Sequence, residues 1–537
     1  MKKLIAAAAM AATVLGATAA QAQSREERKA EAEERKKLGS LYLRCDGEPN
    51  NMTGGESFAR LLGAVTLLGI FAPAPESPDP SKRLFAEEGV DACSQLIDGD
   101  ADGKGAEGNA VRRIPLILAR AVHQIEAKNY QAAIDDVAKA REEATAAELM
   151  GNAYFDRSMG LSFNNIEAEA RLRLGDAQGA SEASLSTLDS MTYSFVPSIT
   201  VRDYAEFVRE LSPAAEAKFA ANSKMIPFLL DEYAEKLEEA GRFEEAAAKR
   251  EALITMVESF NPENKSSIYY ARAALSHALA GQWDEANKRG DFAKFNMDTR
   301  RSEGVPEEGA AKVVELLDLL SILRAANDND MATARRLFTG RSAWVEPSFG
   351  SVMQTNRLLR AGAEDADLIG PLGKNPEEMW QERYDDMLAV KLQKDTDNKT
   401  LFLMIQPYAK VSEFEDRTRD TWRVEKSKMM PKEPDEDGLW RIAQTGNLYT
   451  AIDSIMLHAA LQAKARGKDG FTTTIVLPRR PTGNSYYYTY VTVGYTRFVN
   501  RGEADDALFI PAQEVIDELS PVIPSPAELA ARKKKRK

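Results

Sequence analysis

The sequence predicts a mainly α-helical chain of antiparallel helix pairs, followed by a smaller α+β domain. Three observations carry that reading. From Val111 to about Gly340, apolar residues recur with a helical period, and Gly or another turn residue interrupts them at intervals. Within that stretch one short pattern is written twice: "AGRFEEAAAKREAL" at 240–253 and "AGQWDEANKRGDFA" at 280–293. Beyond Thr400 the texture changes to alternating β-branched and aromatic runs separated by turn signals.

Residues 1–22 have the layout of a secretory signal. Lys2 and Lys3 precede a short Ala-rich apolar run, and small residues stand at Ala20 and Ala22. Cleavage near Ala22 is expected, which makes the protein periplasmic or secreted. No later run is long and apolar enough for a transmembrane segment; "LLGAVTLLGIFA" (61–72) is too short to span a bilayer and reads as a buried helix. Residues 23–110 are expected to form a charged helix and a small cap region. In "SREERKAEAEERKKLG" (24–39), Ser24 and Glu27 have capping-box spacing and Gly39 supplies a stop. A Pro-rich connector follows at 72–82 and an acidic loop at 97–110. The two cysteines, Cys45 and Cys93, are expected to form a disulfide in an exported chain, adding about 4 kcal/mol by restricting the unfolded state. The formal net charge of −13 argues against nucleic acid as a partner.

Residues 111–340 hold the repeated pattern. In the two quoted stretches a small residue, Ala234 or Ala274, precedes a Gly, Gly241 or Gly281. An aromatic residue follows (Phe243, Trp283), then an alanine (Ala246, Ala286). The same frame fits Ala168, Gly175, Ala177 and Ala180. It also fits Ala121, Tyr130 and Ala133, with Lys128 in the Gly position, and Ile322, Asn329, Met331 and Ala334. This frame resembles the tetratricopeptide repeat, a pair of antiparallel helices. The resemblance implies a TPR-like α-solenoid. In such a frame the small residues allow close helix crossings, and the Gly ends the first helix in a left-handed conformation. The closing alanines recur at intervals of 40 to 66 residues, longer than the family period of about 34. The longest interval predicts an extra helix, with "RDYAEFVRELS" (202–212) as candidate.

Residues 341–394 read as a helical connector and 395–523 as the α+β domain. "TLFLMIQPYA", "TWRVEKS" and "GLWRIAQ" are candidate strands. "LYTAIDSIMLHAALQAKARG" is a helix with an apolar stripe through Ile452, Ile455, Met456, Ala459 and Ala463, and "FTTTIVLP" and "SYYYTYVTVGYTRFV" form a hairpin. "ALFIPAQEVIDEL" closes with a strand and a short helix. This region loosely resembles small α+β domains of bacterial envelope lipoproteins, in which a helix ends in Gly and a Phe opens the next strand. That likeness carries no function. Residues 524–537 are expected to be a disordered basic tail able to touch anionic lipid.

The sequence carries no recognisable catalytic signature and no cofactor motif. His123, His277 and His458 have no metal-pair spacing, and no nucleophile elbow or phosphate loop is present. Asp98, Asp100 and Asp102 match the first half of an EF-hand loop, but Asn109 stands where the bidentate Glu belongs, so they are a partial calcium candidate. Tyr486, Tyr487, Tyr488 and Tyr490 are read chiefly as sheet residues. The expected function is therefore non-catalytic: an exported protein that binds a protein or peptide partner in the bacterial cell envelope. Such superhelices present an extended concave surface, and the repeat frame aims Asn165, Glu169, Arg173, Asp231, Glu235 and Glu238 toward it. The alternatives are an enzyme with an unrecognised active site in the α+β domain, or a structural scaffold of an envelope complex.

Overall fold

The computed structural model describes residues 39–49, 77–98, 110–195, 202–259, 265–305, 307–394, 398–406, 428–429, 438–446, 448–476 and 490–523. Residues 1–22, the apolar run 61–72, Asp100 and Asp102, Tyr486–Tyr488 and residues 524–537 lie outside them, as does all but Gly39 of the stretch 24–39 expected to be a charged helix. The chain is mainly helical, with a small antiparallel sheet near the C-terminus. Helices of eight residues or more are numbered in chain order: α1 Ala86–Ile97, α2 Ala110–Glu126, α3 Tyr130–Ala146, α4 Met159–Leu174, α5 Ala177–Leu185, α6 Pro213–Ser223, α7 Pro227–Glu239, α8 Phe243–Glu258, α9 Ser267–Leu279, α10 Trp283–Ser302, α11 Ala310–Asn327, α12 Met331–Thr339, α13 Phe349–Arg360, α14 Pro376–Lys394, α15 Leu448–Ala465 and α16 Ala512–Leu519. Two compact units form: residues 1–150 with 395–406, and residues 151–394 with 407–537.

In the first unit α2 and α3 pair, and α1 packs on α2. A short helix, Leu41–Cys45, joins α1 through the Cys45–Cys93 disulfide, with an S–S distance of 2.07 Å. His123 of α2 is fully buried, its Nε2 2.8 Å from the Cys45 carbonyl and its Nδ1 2.8 Å from Glu126 Oε2. Gly89 of α1 makes this possible, because a Cβ there would come within 2.3 Å of His123 Nδ1. Residues 398–402 form a short helix where "TLFLMIQPYA" reads as a strand. Leu401 and Phe402 are both buried and Leu403 is exposed. A strand would send the first two to opposite faces, whereas one helical turn puts both on the same side.

The five expected turns are alike at the atomic level. They join α2 to α3, α4 to α5, α7 to α8, α9 to α10 and α11 to α12. In each, one residue has positive φ: Lys128 (65°), Gly175 (87°), Gly241 (78°), Gly281 (76°) and Asn329 (62°). Its N–H donates to the carbonyl three residues back at 3.0–3.1 Å, and the next N–H donates to the carbonyl five back at 2.8–2.9 Å. This double closure satisfies carbonyls that a helix end otherwise leaves bare. The closing alanines Ala133, Ala180, Ala246, Ala286 and Ala334 are all fully buried, as the close crossings require.

In the second unit α8 packs on α9, and α9 on α11. The extra helix of the longest interval is α6, later than the candidate at 202–212, of which only Arg202–Ala205 is helical. Ser212 accepts from the Ala215 N–H and Pro213 takes the first helical position, so the start signal sits at the candidate's end. The sheet strands are β1 Lys428–Met429, β2 Trp440–Gly446, β3 Gly470–Val476, β4 Tyr490–Val499 and β5 Ile510–Pro511, in the order β1-β2-β4-β3-β5. Every pairing is antiparallel. The α15 stripe covers one sheet face, and at Gly494 a Cβ would meet Ile455 at 2.7 Å. Ile452, Ile455, Met456 and Phe471 share one core with Tyr154, Tyr193, Met225 and Leu229, so sheet and helices are one packed body.

Candidate partner-binding face

The six residues aimed at a concave surface fall into two groups, both within the second unit. Asn165, Glu169 and Arg173 lie along α4, with Asn165 half-buried. Glu169 is fully buried. Its Oε1 accepts from Arg173 Nε at 2.8 Å, and its Oε2 accepts from the Tyr204 hydroxyl at 2.9 Å and lies 3.2 Å from Lys391 Nζ. Burial alone would push this carboxyl up. Lys391 and Arg173, with the Tyr204 hydroxyl, outweigh it and hold the group below the usual carboxylate range.

Asp231, Glu235 and Glu238 lie along α7 and gather around two guanidinium groups. Arg250 of α8, 1 % exposed, donates from Nε and Nη2 to the Glu238 carboxylate, each at 3.2 Å, and from Nη1 to Asp231. Arg272 of α9 donates to the other Asp231 oxygen and lies 3.3 Å from Glu235. Ser276 donates to Glu238 at 2.5 Å. Three carboxylates thus face two cations, and Glu235, with 37 % of its side chain exposed, is the member that reaches solvent most. Burial pushes the Glu235 carboxyl up and Asp231 and Glu238 add to it, while Arg250 and Arg272 offset part. The group of six is therefore not a row of free side chains. Most of its charge is already paired across the helix pairs, and what remains for a partner is a mildly anionic patch at Glu235.

The connector 341–394 supplies the rest of this face. α13 packs on α7 and α9, so closely that a Cβ on Gly350 would come within 2.3–2.4 Å of the Glu238 and Glu239 backbone. α14 lies over α4 and the Tyr204–Phe207 stretch: Tyr384 meets the Phe207 ring edge-on at 5.7 Å, and Lys391 sits 4.7 Å above the Tyr204 ring. Arg383 reaches Glu239 at 3.4 Å. The aromatic and charged content of 376–394 was plain in the sequence, but not the surface it covers.

Other candidates have simple surroundings. Asp98 holds Arg120 at 2.7 Å and Lys139 at 3.2 Å, so its oxygens already serve cations of the protein. His277 lies 3.0 Å from Glu251 and 2.6 Å from Gln282. Burial depresses His458 to about 4, and Arg466 contributes. Among the described residues no group of three or more His, Cys, Asp or Glu could hold a metal ion. A surface cavity of about 490 Å³ runs along α10 past Asp291, Phe295 and Asp298, on a second helix of a pair.

One cluster has no precursor in the sequence reading. Asp453 of α15 accepts from the Phe195 N–H at 3.1 Å; Glu518 of α16 accepts from the Tyr193 N–H at 3.0 Å and lies 3.6 Å from Arg157. Burial raises Asp453 to about 6 and Glu518 to about 7; the Asp453 charge adds to the rise at Glu518, and Arg157 opposes it at both. The partners lie hundreds of residues apart, so no local spacing marks them. No protein family matches this chain, and no curated protein or solved structure was found similar to it.

Proposed function

We propose that this chain is a non-catalytic, exported binding protein of the bacterial cell envelope, whose TPR-like helix pairs hold a protein or peptide partner on the face of their first helices. The observation that supports this most is the uniform closure of the five turns, with the same two hydrogen bonds and the same fully buried alanine in each. Where helix pairs of this kind stack, the exposed side of their first helices is the surface used for partners. That this side already receives helices of the connector agrees with a helix-accepting surface.

The test is photo-crosslinking in the cells that make the protein. A photoreactive amino acid at Asn165 or Glu235 should trap one discrete partner, while the same group at Lys288, on the outer side of α10, should not. Identical patterns at all three positions, or no product at Asn165 and Glu235, would overturn the reading. The export step is tested separately by finding the N-terminus of the mature protein near Gln23.

A second reading has one observation behind it. Asp453 and Glu518 are two carboxyls held well above their ordinary range, as acid–base groups often are. A hydrolase working through them would lose activity in Asp453→Asn, whereas a binding protein would keep its crosslinked partner.

A further inference from the structure

The two connector helices are docked very differently. α13 buries Val352, Met353, Thr355, Asn356 and Leu359. α14 is longer, at 19 residues, yet from Glu377 to Leu392 none of its residues is fully buried. Its half-buried residues recur as pairs: Met379 and Trp380, Arg383 and Tyr384, Met387 and Leu388, Lys391 and Leu392. A four-residue repeat of this kind is a single stripe along one side of a helix. α14 therefore touches the unit along one seam and is otherwise in water.

The floor under that seam also has contacts of its own. Ala168, Leu172, Tyr204 and Phe207 form their own cluster, against which Tyr384, Met387 and Leu388 pack. Glu169 is oriented by Arg173 and the Tyr204 hydroxyl, both outside α14. Glu239 is likewise held by Lys236 at 2.5 Å. Each carboxylate has oxygen capacity left for one more cation, and α14 supplies it with Lys391 and Arg383. The floor thus reads a particular chemistry: an aromatic ring, two aliphatic side chains three and four residues later, and cations flanking them on the same side of a helix.

Resting on the functional reading above, we infer that α14 is an internal occupant of a helix-docking face, and that a partner segment forming an amphipathic helix with this aromatic–aliphatic–cation pattern takes its place. A helix laid into such a groove is held by side chains at helical spacing. The internal copy competes at the high effective concentration of a tethered segment, so it sets a threshold that a partner must exceed.

The probe is a fluorescein-labelled peptide with the sequence of residues 376–394, titrated by anisotropy into the full chain. The comparison is with a Tyr384→Ala/Lys391→Glu chain, whose substitutions lie in half-buried positions of α14 and leave the floor intact. The weakened chain should bind the peptide at least about 10-fold more tightly than the wild type. A peptide carrying Arg383→Glu and Lys391→Glu should lose at least that much. Equal affinity of the two chains, with far-UV circular dichroism unchanged, would overturn the inference, as would equal binding of the charge-reversed peptide. The two proposals separate cleanly. Peptide binding without any crosslinked partner in cells removes the functional reading and leaves the docking face. A crosslinked partner with no gain in the weakened chain does the reverse.

Discussion

Arg250→Met is the substitution whose consequence the structure fixes most tightly. Arg250 is 1 % exposed and provides two hydrogen bonds to Glu238, itself 2 % exposed. A methionine fills much of the same volume and supplies no donor. Asp231 would still have Arg272, and Glu235 would too, but Glu238 would keep the Ser276 hydroxyl alone. Removing one partner of a buried ion pair costs about 3–5 kcal/mol, because the other charge stays buried and uncompensated. The expected loss at pH 7 is in that range. The tryptophans among the described residues, Trp283, Trp344, Trp380 and Trp440, lie in the second unit, so urea unfolding followed by tryptophan emission reports on the unit concerned. Two controls sharpen the result. Arg250→Met/Glu238→Gln removes the stranded charge and should recover at least about half of the loss. In the single variant Glu238 should bind a proton more readily when folded than when unfolded, so the penalty should shrink from pH 7 to pH 5. A loss below about 1 kcal/mol, or a double variant no better than the single, would mean that Glu238 is not left as an uncompensated buried charge.

Other consequences follow from single positions. Gly281→Ala, at φ 76°, should cost about 1 kcal/mol, while Lys128→Gly, at φ 65°, should gain about 0.5–1 kcal/mol, both read from thermal unfolding by far-UV circular dichroism. Gly350→Ala places a methyl against the backbone of Glu238 and Glu239, which cannot step aside; an overpacking loss of about 2–3 kcal/mol is expected in urea unfolding. Glu518 has a folded-state value raised to about 7 from an ordinary 4.5. A raised carboxyl contributes stability that is fully present below about pH 4.5 and lost as pH rises through 7. Glu518→Gln should therefore exceed the wild type by about 1–3 kcal/mol at pH 8, and the advantage should vanish below pH 5. Reducing the Cys45–Cys93 bridge, which spans 48 residues, should destabilise the first unit by about 4 kcal/mol, measured by amide exchange over residues 110–150.

The helix pairs were legible because their signals are local. A left-handed turn residue, an aromatic and a small residue within one turn of each other state their own geometry, and even Lys128 and Asn329 occupy the glycine conformation their positions imply. The sheet strands β2 to β5 and α15 were legible for the same reason: alternation and a one-sided stripe record which face is covered. What covers it is not recorded. Glu169 and Glu238 stand at spacings that suit an open groove, yet Lys391 and Arg250 bring cations to them from positions that no periodicity announces. Residues 376–394 read only as part of a helical connector, and nothing in them names α4 as the surface they cover. Residues 398–402 misled because a short apolar run suits a strand or one helical turn equally. Asp453 and Glu518 were invisible because burial, which raises them, is made by elements far apart in the chain.

On the inference drawn above, α14 occupies its face as a removable helix while α13 belongs to the fold. Hydrogen exchange of the full chain, followed by mass spectrometry, compares the two directly, since amides in weakly held elements open with small free energies and those in the core open with the whole unit. Amides of residues 377–392 should exchange at least about 10-fold faster than those of residues 350–359, while residues 165–172 of α4 stay protected. Equal protection of both connector helices would contradict the account, since it would make α14 as permanent a part of the fold as α13.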